Sequence, residues 1–151
     1  MNLDNDFNEI LDYAHWINWY PDISLMKQIY KQYEDSYSIL TPFAYCYLEE
    51  LIRSTTSQYG RELLPDKNGK DIKRAVGNKL IDLAIKENKD NKEYIELLNK
   101  MRKYYKKSSA EDSGDNRNSV DHGYMHPRFW SKESFENLIH DIATLSKYSH
   151  F

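Results

Sequence analysis

Apolar residues recur every three or four positions along most of the chain, which is the spacing of an amphipathic helix. The first stripe predicts a helix over roughly residues 4–19 that Pro21 interrupts. Asp22 is then expected to cap a second helix. Thr41 and Pro42 predict the end of that helix and the start of a third, with threonine as N-cap and proline at the first helical position.

The rest of the chain predicts three more helices. The third helix is expected to end near Gly60, before a loop over residues 61–70. A fourth helix follows over about 71–86, a fifth begins after an N-cap at Asn91, and a sixth after an N-cap at Ser131. The stripes predicted to face the core include Phe7, Ile10, Ile17, Leu25, Met26, Tyr30, Tyr33, Leu40, Tyr45, Leu48, Ile52, Ile72, Val76, Leu80, Tyr94, Leu98, Met101, Phe135, Leu138, Ile139, Ile142 and Leu145.

Two segments lack a helical pattern. Residues 108–116 are polar and predict a flexible loop, and residues 124–130 predict an aromatic-rich loop because Pro127 opposes a continuous helix. Strand content should be near zero. The predicted fold class is all-α, an up-and-down bundle of five to six helices in a single domain of 151 residues, with residues 1–20 as an additional N-terminal helix.

Composition bears on the cellular setting. No apolar run reaches the roughly 18 residues of a membrane span, and the acidic N-terminus does not resemble a secretory signal. The single cysteine, Cys46, excludes an internal disulfide and a cysteine-based zinc site, and its neighbours predict a core position. We therefore expect a cytoplasmic protein without membrane association.

Charge is unevenly distributed, although the net charge is only −3. Residues 1–60 carry three Lys/Arg against nine Asp/Glu, whereas residues 61–151 carry 18 against 15. Between Lys100 and Lys132 there are eight bases against four acids. This asymmetry is compatible with contact to a polyanion and is equally typical of a solvated helix face.

Few residues have catalytic potential. The chain contains no H-E-x-x-H pair, no G-x-S-x-G turn and no phosphate-binding glycine loop. His122 and His126 are four residues apart, with Asp121 beside them, but Gly123 and Pro127 oppose the helix that would make them metal ligands. We expect no metal site and no cofactor.

Arg117, Asn118 and His122 remain as the candidate catalytic residues. A guanidinium grips two phosphate oxygens at once. A histidine transfers a proton near neutral pH. Asn118 can bond a neighbour or the phosphate. These residue types therefore suit a phosphodiester substrate.

An ordinary structural interpretation competes with this one, because an arginine and a histidine at this spacing also occur by chance. In that interpretation Arg117 forms a surface ion pair and His122 caps a helix before Gly123. Asp115 and Asp121 flank the motif, and either carboxylate could neutralise Arg117.

Basic and aromatic residues around the motif are the candidates for substrate binding. Cationic side chains contact phosphates, and aromatic rings stack on unpaired bases. Tyr104 and Tyr105 are further candidates for stacking if they are exposed. The predicted substrate-binding residues are Lys103, Lys107, Tyr124, His126 and Arg128.

The segment N-R-N-S-V-D-H-G at residues 116–123, followed by a short loop and a strong amphipathic helix, resembles the HEPN superfamily. Those all-α domains carry an R-x(4–6)-H motif, usually with a polar residue after the arginine. The apolar third helix with its Glu and nearby Arg is also similar. The resemblance covers roughly residues 22–150.

The resemblance implies a metal-independent endoribonuclease of toxin–antitoxin or phage-defence systems that acts as a homodimer. His122 would move a proton from the ribose 2′-OH or to the leaving 5′-oxygen. Arg117 would stabilise charge on the phosphorane, and Asn118 would orient the phosphate or His122. The product would end in a 2′,3′-cyclic phosphate. The expected partners are RNA and a second copy of the chain, with a cognate antitoxin as a further candidate.

Two alternatives stay open at this point. Some members of the superfamily have lost activity, so the chain could be a non-catalytic helical module that binds RNA, a nucleotide or a protein partner. It could also be a small prophage or structural protein in which the motif is coincidental.

Overall fold

The computed structural model describes residues 2–60 and 65–151, so that Met1 and residues 61–64 of the predicted loop 61–70 lie outside the described residues. The described residues contain no strand, which confirms the prediction of an all-α chain, but they contain seven α-helices where five to six were predicted. The helices are α1 (Leu3–Tyr13), α2 (Tyr20–Gln32), α3 (Tyr37–Ser54), α4 (Gly77–Glu87), α5 (Lys92–Met101), α6 (Arg117–Asp121) and α7 (Lys132–Ser146).

Helix α3 lies at the centre of the fold. It packs against α4, α6 and α7, while α1 packs against α7 and α2. Most of its turns are buried, so its apolar side chains meet neighbours on several sides. Its fully buried side chains include Ala44, Tyr45, Tyr47, Leu48 and Ile52. In the part of the chain that is described, no helix has the length and apolar character needed to cross a lipid bilayer.

The two clearest helix starts are confirmed. The Asn91 side chain accepts a hydrogen bond from the Tyr94 N–H at 3.1 Å, and Ser131 Oγ accepts one from the Ser134 N–H at 3.0 Å. Each cap satisfies an N–H that the first helical turn leaves without a partner. The stripe predicted for α7 is also buried as expected.

The predicted boundary between the first two helices is wrong. Helix α1 ends at Tyr13, because the Nδ1 atom of His15 accepts the N–H groups of Ile17 (3.3 Å) and Asn18 (3.2 Å) and closes a turn there. Ile17 is therefore exposed instead of buried. Helix α2 already begins at Tyr20, so the predicted cap residue lies inside its first turn.

The predicted break at Thr41 and Pro42 is also wrong. Helix α2 ends at Gln32, a 3₁₀ turn follows at Glu34–Ser36, and α3 runs through the pair without interruption. The proline removes one backbone hydrogen bond, and burial of Thr41 and its neighbours holds the helix together. Tyr33 is exposed because α2 ends before it. Leu25 is exposed because a different face of α2 from the predicted one is buried.

Helices α3 and α4 are both shorter than predicted. Helix α3 ends at Ser54, and α4 begins only at Gly77, so Ile72 and Val76 are exposed where the pattern placed them inward. Gly77 has a φ of +57°, a conformation that interrupts a helix and favours glycine. A Cβ there would lie 3.3 Å from the ring of Tyr105, so the glycine also permits close packing.

The environment of Cys46 differs from the prediction as well. Tyr45 and Tyr47 on either side of it are fully buried, and the cysteine occupies the narrow strip of α3 that faces solvent. Partial burial and the nearby Asp121 carboxylate raise the pKa of its thiol. A raised pKa lowers the thiolate fraction, so the exposed thiol is not an activated nucleophile.

The segment 108–116 has no regular structure, in agreement with the sequence, but polar contacts attach it to the core. The hydroxyl of Tyr45 donates to the Gly114 carbonyl at 2.9 Å, and the Ser131 N–H donates to the Ser113 carbonyl at 2.7 Å. The Asn116 side chain donates to the Lys107 carbonyl at 3.3 Å. The segment thereby joins α3, the stretch of chain that follows α5 and the start of α7.

Gly114 provides a test of this attachment. Its φ is +91°, and a Cβ there would lie 2.9 Å from Trp130 Cβ. Gly69 also has a positive φ, of +73°, but a Cβ there would meet no atom within 4 Å, so it is the matched control. We expect Gly114→Ala to lower the free energy of unfolding by about 1–3 kcal/mol more than Gly69→Ala, measured by chemical denaturation. Equal losses would show that the segment moves away from Trp130 at no cost.

Candidate functional site

The Arg/His motif forms the short helix α6 and the residue that follows it. Asn116 caps this helix, since its side chain accepts the Asn118 N–H at 3.0 Å. His122 is the C-cap residue, and its N–H donates to the Asn118 carbonyl at 3.2 Å. Gly123 comes next with a φ of +63°, a conformation in which helices commonly end.

Arg117 is the first residue of α6, and its guanidinium lies between two carboxylates. Its Nε atom is 3.0 Å from Glu49 Oε1 on α3 and 2.9 Å from Asp121 Oδ2 one turn along α6. Both are ion pairs by distance, although neither has the geometry of a hydrogen bond. The Nη1 and Nη2 atoms form no hydrogen bond among residues 2–60 and 65–151, and the side chain is 20% exposed.

The carboxylate behind Arg117 belongs to a buried charge cluster on α3. The Glu49 side chain is 10% exposed and that of Arg53 6%, and an Oε2–Nη2 distance of 3.9 Å separates the two groups. Arg53 also pairs with Glu50 and donates to the Ala75 carbonyl at 3.0 Å. Burial raises the pKa of Glu49, while the two arginines act to lower it.

Asp121 experiences the same opposing effects. Partial burial raises the pKa of its carboxyl, and Arg117 and His122 act in the opposite direction. The pairing of Arg117 with this residue is one of the two that the flanking acids suggested. The other flanking acid, Asp115, instead accepts the Ser113 N–H at 3.0 Å.

The side chain of His122 is exposed and has no hydrogen-bond partner in the described ranges. It follows Arg117 by five residues, which in an α-helix corresponds to a rise of about 7.5 Å and a rotation of about 140°. The two side chains therefore leave the helix at different angles. A substrate group that contacts both must lie across the C-terminal end of α6.

Asn118 has a structural contact at one end of its amide. Its Nδ2 donates to the Lys106 carbonyl at 2.8 Å and ties α6 to the chain that follows α5. Its Oδ1 has no partner within the described residues and is an acceptor only. In this conformation the amide oxygen can accept a hydrogen bond from a histidine N–H or a hydroxyl, and the second N–H of Nδ2 remains available as a donor.

The predicted substrate-binding residues lie on two segments of the chain, one after the motif and one after α5. Tyr124, His126 and Arg128 are exposed on the segment that follows the motif. Lys107 is exposed too, whereas the ammonium group of Lys103 lies 2.6 Å from Asp141 Oδ2.

Two of the tyrosines suggested for base stacking do not fit that role. Tyr104 is buried, and its hydroxyl donates to Asp141, while Tyr105 is 6% exposed. Both lie on the inward stripe that continues α5 beyond its last turn, which is the usual position of an aromatic at helical spacing.

The features expected from the ordinary structural interpretation are present. Arg117 forms ion pairs, and His122 is the helix C-cap before a glycine. A shared helix face for two metal-binding histidines is absent, because α6 ends at Asp121 and His126 caps the 3₁₀ turn Pro127–Phe129. Across the described residues, no three His, Cys, Asp or Glu side chains are grouped as metal ligands.

Sequence reasoning missed the contact between Glu49 and Arg117. A signal for it was present, because Glu49 and Arg53 are four residues apart within the apolar face of the third helix. Charged residues on such a face are rarely buried unless they are paired. This pattern predicts a buried partner, but not which one.

Comparison with protein-family models, with curated proteins and with solved structures finds no match for this chain.

The Arg117–Glu49 contact can be measured with a double-mutant cycle. We expect Arg117→Ala to destabilise the protein by about 2–4 kcal/mol, since it leaves a buried carboxylate without its partner. In a Glu49→Gln background the same substitution should cost about 1–2 kcal/mol less. Chemical denaturation of the four proteins gives these values.

Arg102→Ala is the matched control for that cycle. Arg102 pairs with Asp82 at 2.7 Å, and this pair is substantially exposed. We expect a cost below about 1 kcal/mol that adds independently to Glu49→Gln. Additive effects for Arg117 and Glu49 would contradict a direct interaction.

Proposed function

We propose that this chain is a metal-independent endoribonuclease with an HEPN-like helical bundle, active as a homodimer. The observation that carries the proposal is the state of Arg117 and His122. The Nη atoms of the arginine form no hydrogen bond within the described residues and its side chain is 20% exposed, while the histidine side chain is exposed at the other end of the same short helix. One short helix and its C-cap residue therefore carry a phosphate-binding group and a proton-transfer group, and both side chains have exposed surface.

The chemistry follows from these two groups. The ribose 2′-oxygen attacks the adjacent phosphorus, the P–O5′ bond breaks, and a 2′,3′-cyclic phosphate forms. One proton leaves the 2′-OH and one reaches the departing 5′-oxygen, and His122 carries one of these transfers. The Arg117 guanidinium stabilises the negative charge on the phosphorane oxygens. DNA lacks the 2′-OH and is not cleaved.

A second copy of the chain completes this scheme. The reaction needs a proton acceptor and a proton donor, while each motif contains one histidine. A two-fold axis close to α6 would bring a second His122 to the same phosphate and join two cationic sites into one cleft. Apolar residues beside the motif support such an interface, because Tyr124 and Phe129 are more than half exposed.

The proposed interface can be tested with Phe129→Glu. A carboxylate at the interface would be buried without a partner, so we expect dimerisation to weaken at least tenfold in sedimentation analysis. Leu25→Glu is the control, as Leu25 is similarly exposed on α2, which packs against α1. Equal behaviour of the two variants would remove this segment from the interface, and a monomeric wild type would contradict the dimer.

Cleavage is tested with labelled single-stranded RNA in EDTA. We expect His122→Ala and Arg117→Lys to lower the cleavage rate by about 10²–10⁴-fold, the usual contribution of a proton-transfer or charge-stabilising group. Arg117→Lys preserves the positive charge beside Glu49 and so limits unfolding. His150→Ala is the control because this exposed histidine lies outside the motif. Equal cleavage by all four proteins would indicate a contaminating nuclease and contradict the proposal.

A non-catalytic binding module is the second candidate function. The contacts of Arg117 with Glu49 and Asp121 favour it, because they give the arginine a structural role that requires no substrate. In this case RNA would remain intact under every condition, and His122→Ala would bind its partner as wild type does.

A further inference from the structure

Four large apolar side chains are exposed close together in the turn between α1 and α2. Trp16 is 74% exposed, and Tyr13, Ile17 and Tyr20 are between 42% and 56% exposed. We call residues 13–20 the aromatic turn. Single exposed apolar residues are ordinary on a protein surface, whereas a contiguous group of them is typical of an interaction site.

The aromatic turn is held in place by the residues between the exposed ones. His15 Nδ1 accepts two backbone N–H groups within the turn, and Ser149 Oγ donates to the Tyr13 carbonyl at 3.1 Å. The ring of Trp19 packs against that of Tyr47 on α3, with 5.2 Å between the ring centroids. The exposed rings are therefore presented by an ordered turn, which loses little conformational entropy when a partner binds.

The size of this surface suits a short peptide segment better than a folded domain. The three exposed aromatic side chains together present on the order of 300 Å², since a whole aromatic side chain has roughly 150–250 Å². Each partner in a standard protein–protein interface buries about 800 Å². Tryptophan and tyrosine are also the residue types in which binding energy is commonly concentrated.

The charge around the aromatic turn is negative. Asp12 and Asp22 flank it in the sequence, and Glu9 lies one helical turn before Tyr13. All three carboxylates are exposed, and none has an ion-pair partner in the described part of the chain. No lysine or arginine precedes Lys27. Charge complementarity therefore favours a cationic partner, and it disfavours RNA and anionic lipid.

The position of Asp12 strengthens this preference. It lies in the last turn of α1, which carries no basic residue. The C-terminal end of a helix dipole is negative, so a carboxylate there is unfavourable and a cation is favourable. A cationic side chain of a partner would interact favourably with both the carboxylate and the helix end.

We propose that the aromatic turn binds a short segment of another protein in which arginines alternate with aliphatic residues. The guanidinium groups stack on the rings of Trp16 and Tyr20 and pair with the flanking carboxylates, while the aliphatic side chains cover Ile17. None of these residues belongs to the motif at 117–122. The inference therefore goes beyond the proposed function and does not depend on RNA cleavage.

The test uses amide chemical shifts of the full chain and three synthetic peptides of equal length. One peptide alternates arginine and leucine, one alternates glutamate and leucine, and one alternates arginine and serine. We expect the arginine–leucine peptide to shift the amides of residues 13–20 and to bind at least about tenfold more tightly than the others, because it alone matches both the charge and the apolar surface. Equal binding of either control peptide, or no shift in the aromatic turn, overturns the proposal.

Trp16→Ala provides the second measurement. We expect the affinity for the arginine–leucine peptide to fall at least about fivefold, as is usual for a central interface residue. Tyr33→Ala is the matched control. Tyr33 is an aromatic residue of comparable exposure, 60%, and lies at the other end of α2, about 20 Å from Tyr20 along the helix. Equal affinities of the two variants would contradict the proposal.

Asp12→Asn tests the contribution of charge. We expect peptide affinity to fall about two- to fivefold and to depend less on salt concentration. The free variant should also unfold at a slightly higher temperature, because a negative charge is removed from the C-terminal end of α1. Asp90→Asn is the matched control, since Asp90 is exposed outside the turn and the change of charge is the same. The same loss of affinity in both variants would rule out a specific role for Asp12.

Two other occupants of the aromatic turn would give different results. Vesicles that contain anionic lipid should leave the amides of residues 13–20 unchanged, because the flanking carboxylates repel them. A second copy of the chain would shift these amides when the protein concentration is raised without peptide. Either of these shifts would assign the turn to a membrane surface or to self-association, and would overturn the proposal.

Discussion

The position of the motif depends on one ion pair, between the Nε atom of Arg117 and the carboxylate of Glu49. Glu49 is carried into the interior by α3, and desolvation makes its ionised form costly. Arg117 and Arg53 offset this cost from two directions, one from α6 and one from α3 itself. Because α3 is the central helix, the guanidinium is fixed relative to the core and not only to its own short helix.

In this arrangement the Arg117 guanidinium has a structural role on one side and can bind a ligand on the other. The Nε atom faces Glu49 and Asp121, whereas the two Nη atoms form no hydrogen bond within the described residues. A planar group with fixed inner contacts loses little freedom when its outer edge binds a ligand. The same contacts that make Arg117 a structural residue thus also prepare it for recognition of an oxyanion, and the two roles need not compete.

The sequence was most informative where local signals agree. An N-cap serine and an unbroken apolar stripe located α7, and Asn91 located α5. The sequence was misleading at Pro42. The preference of proline for the first position of a helix predicted a helix start there, whereas burial of the surrounding turns maintains one long helix. In the candidate site, the motif identified Arg117 and His122. Glu49 comes from elsewhere in the chain, and only tertiary packing brings it to the arginine.

The motif helix has five residues, which is too short to be stable alone in water. Its shape is supplied by its surroundings: the cap at Asn116, the bond from Asn118 to the Lys106 carbonyl, and the ion pair to α3. Transplanting residues 117–123 into another helical scaffold would therefore transfer the functional groups without their spatial arrangement. The smallest transferable unit of this site includes α3 and the segment from Lys106 to Gly123.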